Sequence, residues 1–256
     1  MGKPEEFSFS PIGWIQSPYS TKFGVPRQPG LAPSIVSRVK FKDDFRIQTA
    51  LKGLEQFSHL WVIFVFHKHG AKDWKPTVRP PRLGGAKKMG VLASRSPHRP
   101  NPIGLSVVEL VRLDLSAPKG AEIEIQGGDF VDGTPVLDVK PYIAYADVIE
   151  NSISGWASQP IKKYSVSFTE QALAELKDLF ENGHGVRFAN DLEGFLKQIE
   201  EVLSLDPRPA SQKTRDGAED PKSQGQIYGF ELAGVDVQYE IKSDGFLVFS
   251  CKILSD

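Results

Sequence analysis

The sequence predicts a mainly β protein, an all-β first part in the form of a barrel or sandwich followed by a smaller α+β part. Three observations carry this. Over the first 150-odd residues, short apolar or alternating runs are separated by turn signals, with no amphipathic helix long enough to link parallel strands. Beyond Pro160 the apolar spacing changes to a helical period. The chain then closes on three short alternating runs. At 256 residues, with 40% apolar and 25% charged residues, the composition is that of a soluble globular protein with ample length for a core.

Phe7 to Gln16 alternates bulky groups and predicts a first strand ending at Ser17-Pro18. Pro18 to Gly30 spaces proline and glycine too closely for either period and reads as a long loop, of the kind that usually carries a function. Ile35 to Phe41 alternates cleanly and predicts a half-buried strand, and a short helix is expected from Asp44 to Leu51. His59 to Phe66 has almost no polar face, which predicts a central strand covered on both sides. Gly70 to Lys88 is basic and Pro-rich and is expected to be a mobile loop without an element.

Gly90 to Ala93 and Ile103 to Val108 read as buried strands, with Val107 to Leu113 continuing the second. Between them, Pro97, Pro100 and Pro102 lack backbone donors and force Arg95 to Asn101 into an irregular loop. That loop is stiff and rich in donors from Arg95, Ser96, His98, Arg99 and Asn101, so a ligand would bind it at a small ordering cost. Glu122 to Ile125 is a further strand, Gln126 to Pro135 a loop with three glycines, and Val136 to Ala144 completes the first sheet.

Ser152 to Pro160 reads as a linker between a domain of residues 1–155 and one of residues 160–256. Ser167 with Glu170, and Asn190 with Glu193, have capping-box spacing. Leu173, Leu176 and Phe180 then share one helical face, and Leu192, Phe195, Leu196, Ile199, Val202 and Leu203 trace a second stripe that stops at Asp206-Pro207. Pro209 to Gln226 is polar and expected to be disordered. Strands follow at Ile227 to Leu232, Val235 to Ile241 and Phe246 to Ile253, with turns at Ala233-Gly234 and Asp244-Gly245.

Several function classes are disfavoured. The longest apolar run, Leu60 to Phe66, is far short of a bilayer, and the first residues lack a signal core, so the expected location is the cytoplasm. The lone Cys251 excludes an intramolecular disulfide. His67 and His69, two apart, could begin a metal site with His59 and His98, but Lys68 lies between them and no thiolate assists. Neither a nucleophile elbow nor a Gly-rich phosphate loop is present. What remains are three donor-rich loops, Pro26 to Gly30, Arg95 to Asn101 and Asp129 to Pro135, each at a strand end. Beside them, Ala71 to Pro100 holds eight Lys or Arg (Lys72, Lys75, Arg79, Arg82, Lys87, Lys88, Arg95 and Arg99) against one acid, Asp73, although the net charge of the chain is only −1. Convergent loops would cup a small polar ligand while the basic stretch holds a polyanion.

The run Arg95-Ser96-Pro97-His98-Arg99-Pro100-Asn101-Pro102-Ile103-Gly104-Leu105, preceded by Pro26-Arg27-Gln28 and followed by Asp132-Gly133-Thr134-Pro135 through Tyr142, resembles the TsaA-like (YaeB/TrmO) family over about residues 7 to 150. The string Leu205 to Ala210 is similar to one in the second domain of bacterial members. The resemblance implies an N-terminal β-barrel methyltransferase domain that uses S-adenosylmethionine to methylate N6 of threonylcarbamoyl-adenosine, 3′ of the anticodon in the anticodon stem-loop of threonine tRNA. It also implies a homodimer with the cofactor near the subunit interface. Carried over by position, the cofactor contacts are Pro26, Arg27, Gln28, His67, Lys68, Arg95, Leu105, Asp132, Gly133, Thr134 and Pro135.

The target nitrogen is urea-like, so its proton must leave as the new bond forms and an acceptor should help. Tyr142, Tyr145 and Asp147, just after the last motif, are the first candidates, and Arg99 is a candidate partner for the threonyl carboxylate. The rival readings are a non-catalytic RNA-binding module and a metal-dependent hydrolase. Cofactor affinity separates all three.

Overall fold

In the computed structural model, residues 6–68, 74–83, 87–182, 188–208, 218 and 220–254 are described. Six strands close into an antiparallel barrel: β1 (Gly13–Gln16), β2 (Val36–Phe41), β3 (His59–Val65), β6 (Ile103–Asp114), β7 (Glu122–Gln126) and β8 (Pro135–Pro141). The intervening numbers belong to a two-stranded ribbon, β4 (Thr77–Val78) with β5 (Met89–Gly90). The ring order is β1-β2-β7-β6-β3-β8, and β8 returns to β1 through Gly13↔Val136 and Trp14↔Pro135, so the sheet keeps no open edge.

Inward alternation fills the barrel with Ile15, Val39, Phe41, Leu60, Val62, Phe64, Val108, Ile123, Ile125 and Val136. Phe64 meets Phe130 edge to face at 5.0 Å. Gly104 makes room for Phe64: a Cβ there would lie 2.1 Å from the ring.

The smaller α+β part follows. Its sheet runs β10 (Ile227–Leu232), β11 (Val235–Ile241), β12 (Gly245–Ile253) and β9 (Ser165–Phe168), with β9 parallel to β12. The β10–β11 turn is tight because Ala233 and Gly234 both take positive φ, +56° and +82°. After the short helix α2 (Ala144–Asp147) that follows β8, helices α3 (Glu170–Glu181) and α4 (Leu192–Ser204) pack their apolar faces on the sheet through Leu176, Phe195, Ile199 and Leu203. Tyr19, Ala32 and Ile35, from the segment between β1 and β2, belong to this second core as well. The barrel thereby sends one of its own connections into the core of its neighbour.

Several expectations are corrected. The first strand is shorter than Phe7 to Gln16, and Phe7 and Phe9 stand exposed. β3 alternates, with Leu60, Val62 and Phe64 buried and Trp61, Ile63 and Val65 half-buried, so it is not equally covered on both faces. Gly90 to Ala93 is not a buried strand: β5 ends at Gly90, and Val91–Ala93 is a 3₁₀ turn with Val91 buried and Leu92 exposed. The basic loop carries elements after all, β4 and a 3₁₀ turn at Pro81–Leu83, while residues 70–73 and 84–86 lie outside the described residues.

The helix caps are Thr169, accepting from Ala172 N, and Asp191, accepting from Gly194 N, each one residue or more after the expected cap. Ser167 lies in β9 instead. Of the stretch 209–226, residues 209–217 and 219 lie outside the described residues, whereas Ser223 is buried and turns at 221–225 lead into β10. The short helix falls where expected, as α1 (Phe45–Ala50) capped by Asp44, as do α4, β2 and β10 to β12.

One carboxyl is carried to the mouth of the barrel. Ser106, buried on the inner face of β6, donates from Oγ to Asp129 Oδ1 at 2.7 Å. Burial pushes the Asp129 carboxyl up to about 6, against the Ser106 hydrogen bond and the nearby Arg95 charge. In the unfolded chain the same group ionises near ~4, so the folded chain binds more protons between about pH 4 and 6. This group's contribution to stability is therefore present at low pH and lost as pH rises through its folded pKa. Asp129→Asn, which cannot ionise, is expected to match wild type in urea midpoint at about pH 4 and to exceed it at about pH 7. An identical difference between the two proteins at both pH values would contradict this.

Candidate functional site

In a closed antiparallel barrel, successive connections leave from alternate rims. The connections 17–35 (β1 to β2), 66–102 (β3 to β6) and 127–134 (β7 to β8) therefore all lie at one rim. The connections 42–58 and 115–121, and the chain leaving β8 at Tyr142, lie at the other. All three donor-rich loops fall in the first set. Tyr142, Tyr145 and Asp147 fall in the second, a strand length away, about 20 Å along β3.

Hydrogen bonds knit the first rim together. Arg95 Nη1 donates to Gln28 Oε1 at 2.6 Å, joining the first and second loops. Gly30 N donates to Gly127 O at 2.8 Å, and Ser17 N to Asp132 Oδ1 at 2.9 Å, joining the first connection to the third. Asp132 N and Gly133 N donate back to Tyr19 O and Ile15 O at 2.7 and 2.9 Å. Gly133, at φ +75°, comes close to His67: a Cβ on it would stand 3.9 Å from His67 Nε2. Lys68 Nζ donates to Ser20 O at 2.6 Å.

Two groups result. Gln28, Arg95, Ser106 and Asp129 form one, and His67, Lys68 and Asp132 to Pro135 form the other, in which residues 17–20 tie Lys68 to Asp132. The electrostatics are mixed. Burial, then the Lys68 charge, lower the His67 pKa against the opposing pull of Asp132, so His67 is neutral at neutral pH. Exposed carboxylate at Asp132, cations at Lys68 and Arg95, and free space beside Gly133 give a rim with acceptors for an ammonium or ribose and donors for a carboxylate.

Not every expected contact points into this cluster. Pro26 is buried, and Arg27, exposed at the surface, feels the charge of Asp206 in the α+β part. Thr134 is buried and bonds Val131 O through both its N–H and its Oγ1. Leu105 lies on the outer face of the barrel, 52% exposed, opposite Ile63. His69 lies outside the described residues.

The proton-acceptor candidates lie away from this cluster. Tyr142 N is tied to His59 O and its ring sits 6.0 Å from Trp61, Tyr145 is 91% exposed, and Asp147 Oδ2 accepts from Ile143 N to cap its own turn, all at the far rim. Arg99 braces its own loop, donating from Nε to Ser96 O at 3.0 Å and from Nη2 to Ser94 O at 2.6 Å. Asp129 is the rim group the sequence did not single out. Its burial follows from Ser106 facing inward, and only the strand phase of β6 could have signalled that.

The chain matches the family description "tRNA-methyltransferase O N-terminal domain" over residues 14–148 and "TrmO C-terminal domain" over residues 161–253. It is 40% identical over 245 residues, 95% of this chain and 97% of the relative, to the Escherichia coli K12 protein called tRNA (adenine(37)-N6)-methyltransferase. It is 41% identical over 234 residues, 91% of both chains, to a Pseudomonas aeruginosa protein called putative S-adenosylmethionine-dependent methyltransferase RcsF. The crystal structure of TrmO from Pseudomonas aeruginosa superposes with a TM-score of 0.75 at 33% identity, covering 98% of this chain and all of the other. Across both the barrel and the α+β part, the chain belongs to the tRNA-methyltransferase O (TrmO) family.

Proposed function

We propose that this protein is a tRNA adenine N6-methyltransferase whose methyl donor is S-adenosylmethionine and whose target is N6 of threonylcarbamoyl-adenosine beside the anticodon of threonine tRNA. The observation that carries the reading is the gathering of the 17–35, 66–102 and 127–134 connections at one barrel rim, in a chain with the family's two domains. When bound, S-adenosylmethionine supplies an intrinsically electrophilic methyl group. The residues of this chain have the remaining work. Arg95 and Lys68 suit a donor carboxylate, and the exposed Asp132 suits the ammonium or the ribose hydroxyls. The stiff rim loops hold donor and acceptor in line at small ordering cost.

The urea-like nitrogen must lose its proton as it attacks. Among the described residues of this rim, neutral His67, the carboxylate of Asp132 and the buried Asp129 are candidate acceptors. Residues 1–155 and 160–256 are read as two domains, supported by two separate apolar cores, one inside the barrel and one under the α+β sheet.

A homodimer is supported by apolar groups left bare on the outer barrel wall, Leu105 and Ile103, and on the chain that follows β8, Tyr145, Ile149 and Ile153, the last 94% exposed. Leu105 belongs both to the expected donor contacts and to that bare surface, which fits a donor site near a subunit interface. No helix among the described residues is long and apolar enough to cross a membrane, and a cytoplasmic location fits a tRNA substrate.

Incubation with methyl-labelled S-adenosylmethionine and threonine tRNA, with and without the threonylcarbamoyl group, is expected to label only the modified tRNA. Equal labelling of both, or of neither, would overturn the substrate assignment. Arg95→Ala is expected to weaken S-adenosylmethionine binding by about 10- to 100-fold in calorimetry, the loss of one charged hydrogen bond, with an unchanged melting curve. Unaltered affinity would remove Arg95 from the site.

A further inference from the structure

The basic stretch divides once it is folded. Arg82 bonds the carbonyls of Ala157 and Gln159, and Trp156 Nε1 donates to Ala93 O at 3.0 Å, so this part fastens the inter-domain linker to the rim connection. Arg99 braces its loop. Lys75, Arg79 and Lys88 do neither. They are exposed, they make no ion pair among the described residues, and they line one hollow with Thr77, Ser96 and His98.

That hollow is built rather than accidental. The β4–β5 ribbon sets Thr77 opposite Gly90 and Val78 opposite Met89, which carries Arg79 and Lys88 on neighbouring strand ends. Lys75 N donates to His98 O at 3.1 Å and Val91 N to Pro76 O at 3.0 Å, so the ribbon is stitched to the proline-stiffened loop. Among the described residues, no acidic side chain lines the hollow. His98 registers the excess charge: burial first, then Lys75 and Lys22, lower its pKa. An anion is what this concentration of positive potential lacks.

We propose that the hollow of Lys75, Arg79, Lys88, Ser96 and His98 is a cradle for the phosphodiester backbone of the RNA substrate, set beside the methyl-transfer rim. Its position argues for RNA backbone over a free anion. Arg95, at the rim, and His98, in the hollow, are three residues apart on one stiff loop, at most about 11 Å when extended. A nucleotide seated at the rim brings its neighbouring phosphates within that distance, and the exposed lysines and arginine contact phosphate without reading base identity. The inference rests on the tRNA reading above.

The test is the salt dependence of binding, measured by fluorescence anisotropy with an RNA hairpin of the threonine anticodon stem-loop, for wild type and for the triple variant Lys75→Ala/Arg79→Ala/Lys88→Ala. Each lost phosphate contact removes roughly 0.7 to 0.9 from the slope of log affinity against log salt. The variant is expected to have a slope shallower by about 2 and at least tenfold weaker binding near 0.1 M salt. Its S-adenosylmethionine affinity and melting curve are expected to equal those of wild type.

A wild-type slope in a variant that still transfers methyl groups overturns the cradle and leaves the methyltransferase reading intact. A shallower slope in the variant, with a wild-type protein that transfers no methyl group to the modified tRNA, upholds the cradle and removes the methyltransferase reading. Inorganic phosphate is the control for a small-anion site. Saturable phosphate binding below about 1 mM that the triple variant loses, with RNA binding unchanged, would overturn the assignment to RNA.

Discussion

Closure of six antiparallel strands is the constraint on which the rest of this structure depends. A sheet with Leu60, Val62, Val108, Ile123 and Val136 on one face must cover that face, and closing on itself through Gly13↔Val136 covers it and removes both edges. An even number of strands lets every neighbour run antiparallel. Alternate connections then emerge at the same rim, and the loops 17–35, 66–102 and 127–134 are brought together by topology before any side chain contributes. Arg95 with Gln28, and Asp132 with Ser17, only fix the details.

The same constraint explains what the α+β part does. The 17–35 connection is too long to lie as a tight hairpin. Tyr19, Ala32 and Ile35 anchor it in the second core, Ser34 donates through N and Oγ to Glu201 of α4 at 2.8 and 2.6 Å, and Ala233 N donates to Pro18 O at 2.8 Å. Between those anchors lie Pro26, Arg27 and Gln28. The second part thus holds the shape of a loop that belongs to the rim, and the buried Asp206, bonded to Arg208 at 2.8 Å, adds its charge near Arg27. A single-barrel chain would have to order these residues by other means.

Much of this was legible in the sequence, for identifiable reasons. Alternation over Ile35 to Phe41 and the stripe of α4 are strong periodic signals, and the prolines of 95–101 exclude regular structure outright. Gly90 to Ala93 misled because a short apolar run does not distinguish a strand from a single buried turn. Ser165–Phe168 passed unnoticed because two serines dilute its pattern, and its pairing partner Gly245–Val248 lies some eighty residues away. Tyr142, Tyr145 and Asp147 looked close to the motif at 132–135 because they are close in the chain; β8 carries them across the barrel to the opposite rim. Asp129 escaped because its burial depends on which face of β6 carries Ser106.

The central claim is that the donor site is the rim made by these three connections. Backbone amide shifts in the isotope-labelled protein, followed as S-adenosylmethionine is added, test it most directly. Gln28, His67, Arg95 and Gly133 are expected to shift together along one saturation curve. Saturable binding in calorimetry that leaves all four amides unmoved would contradict the account.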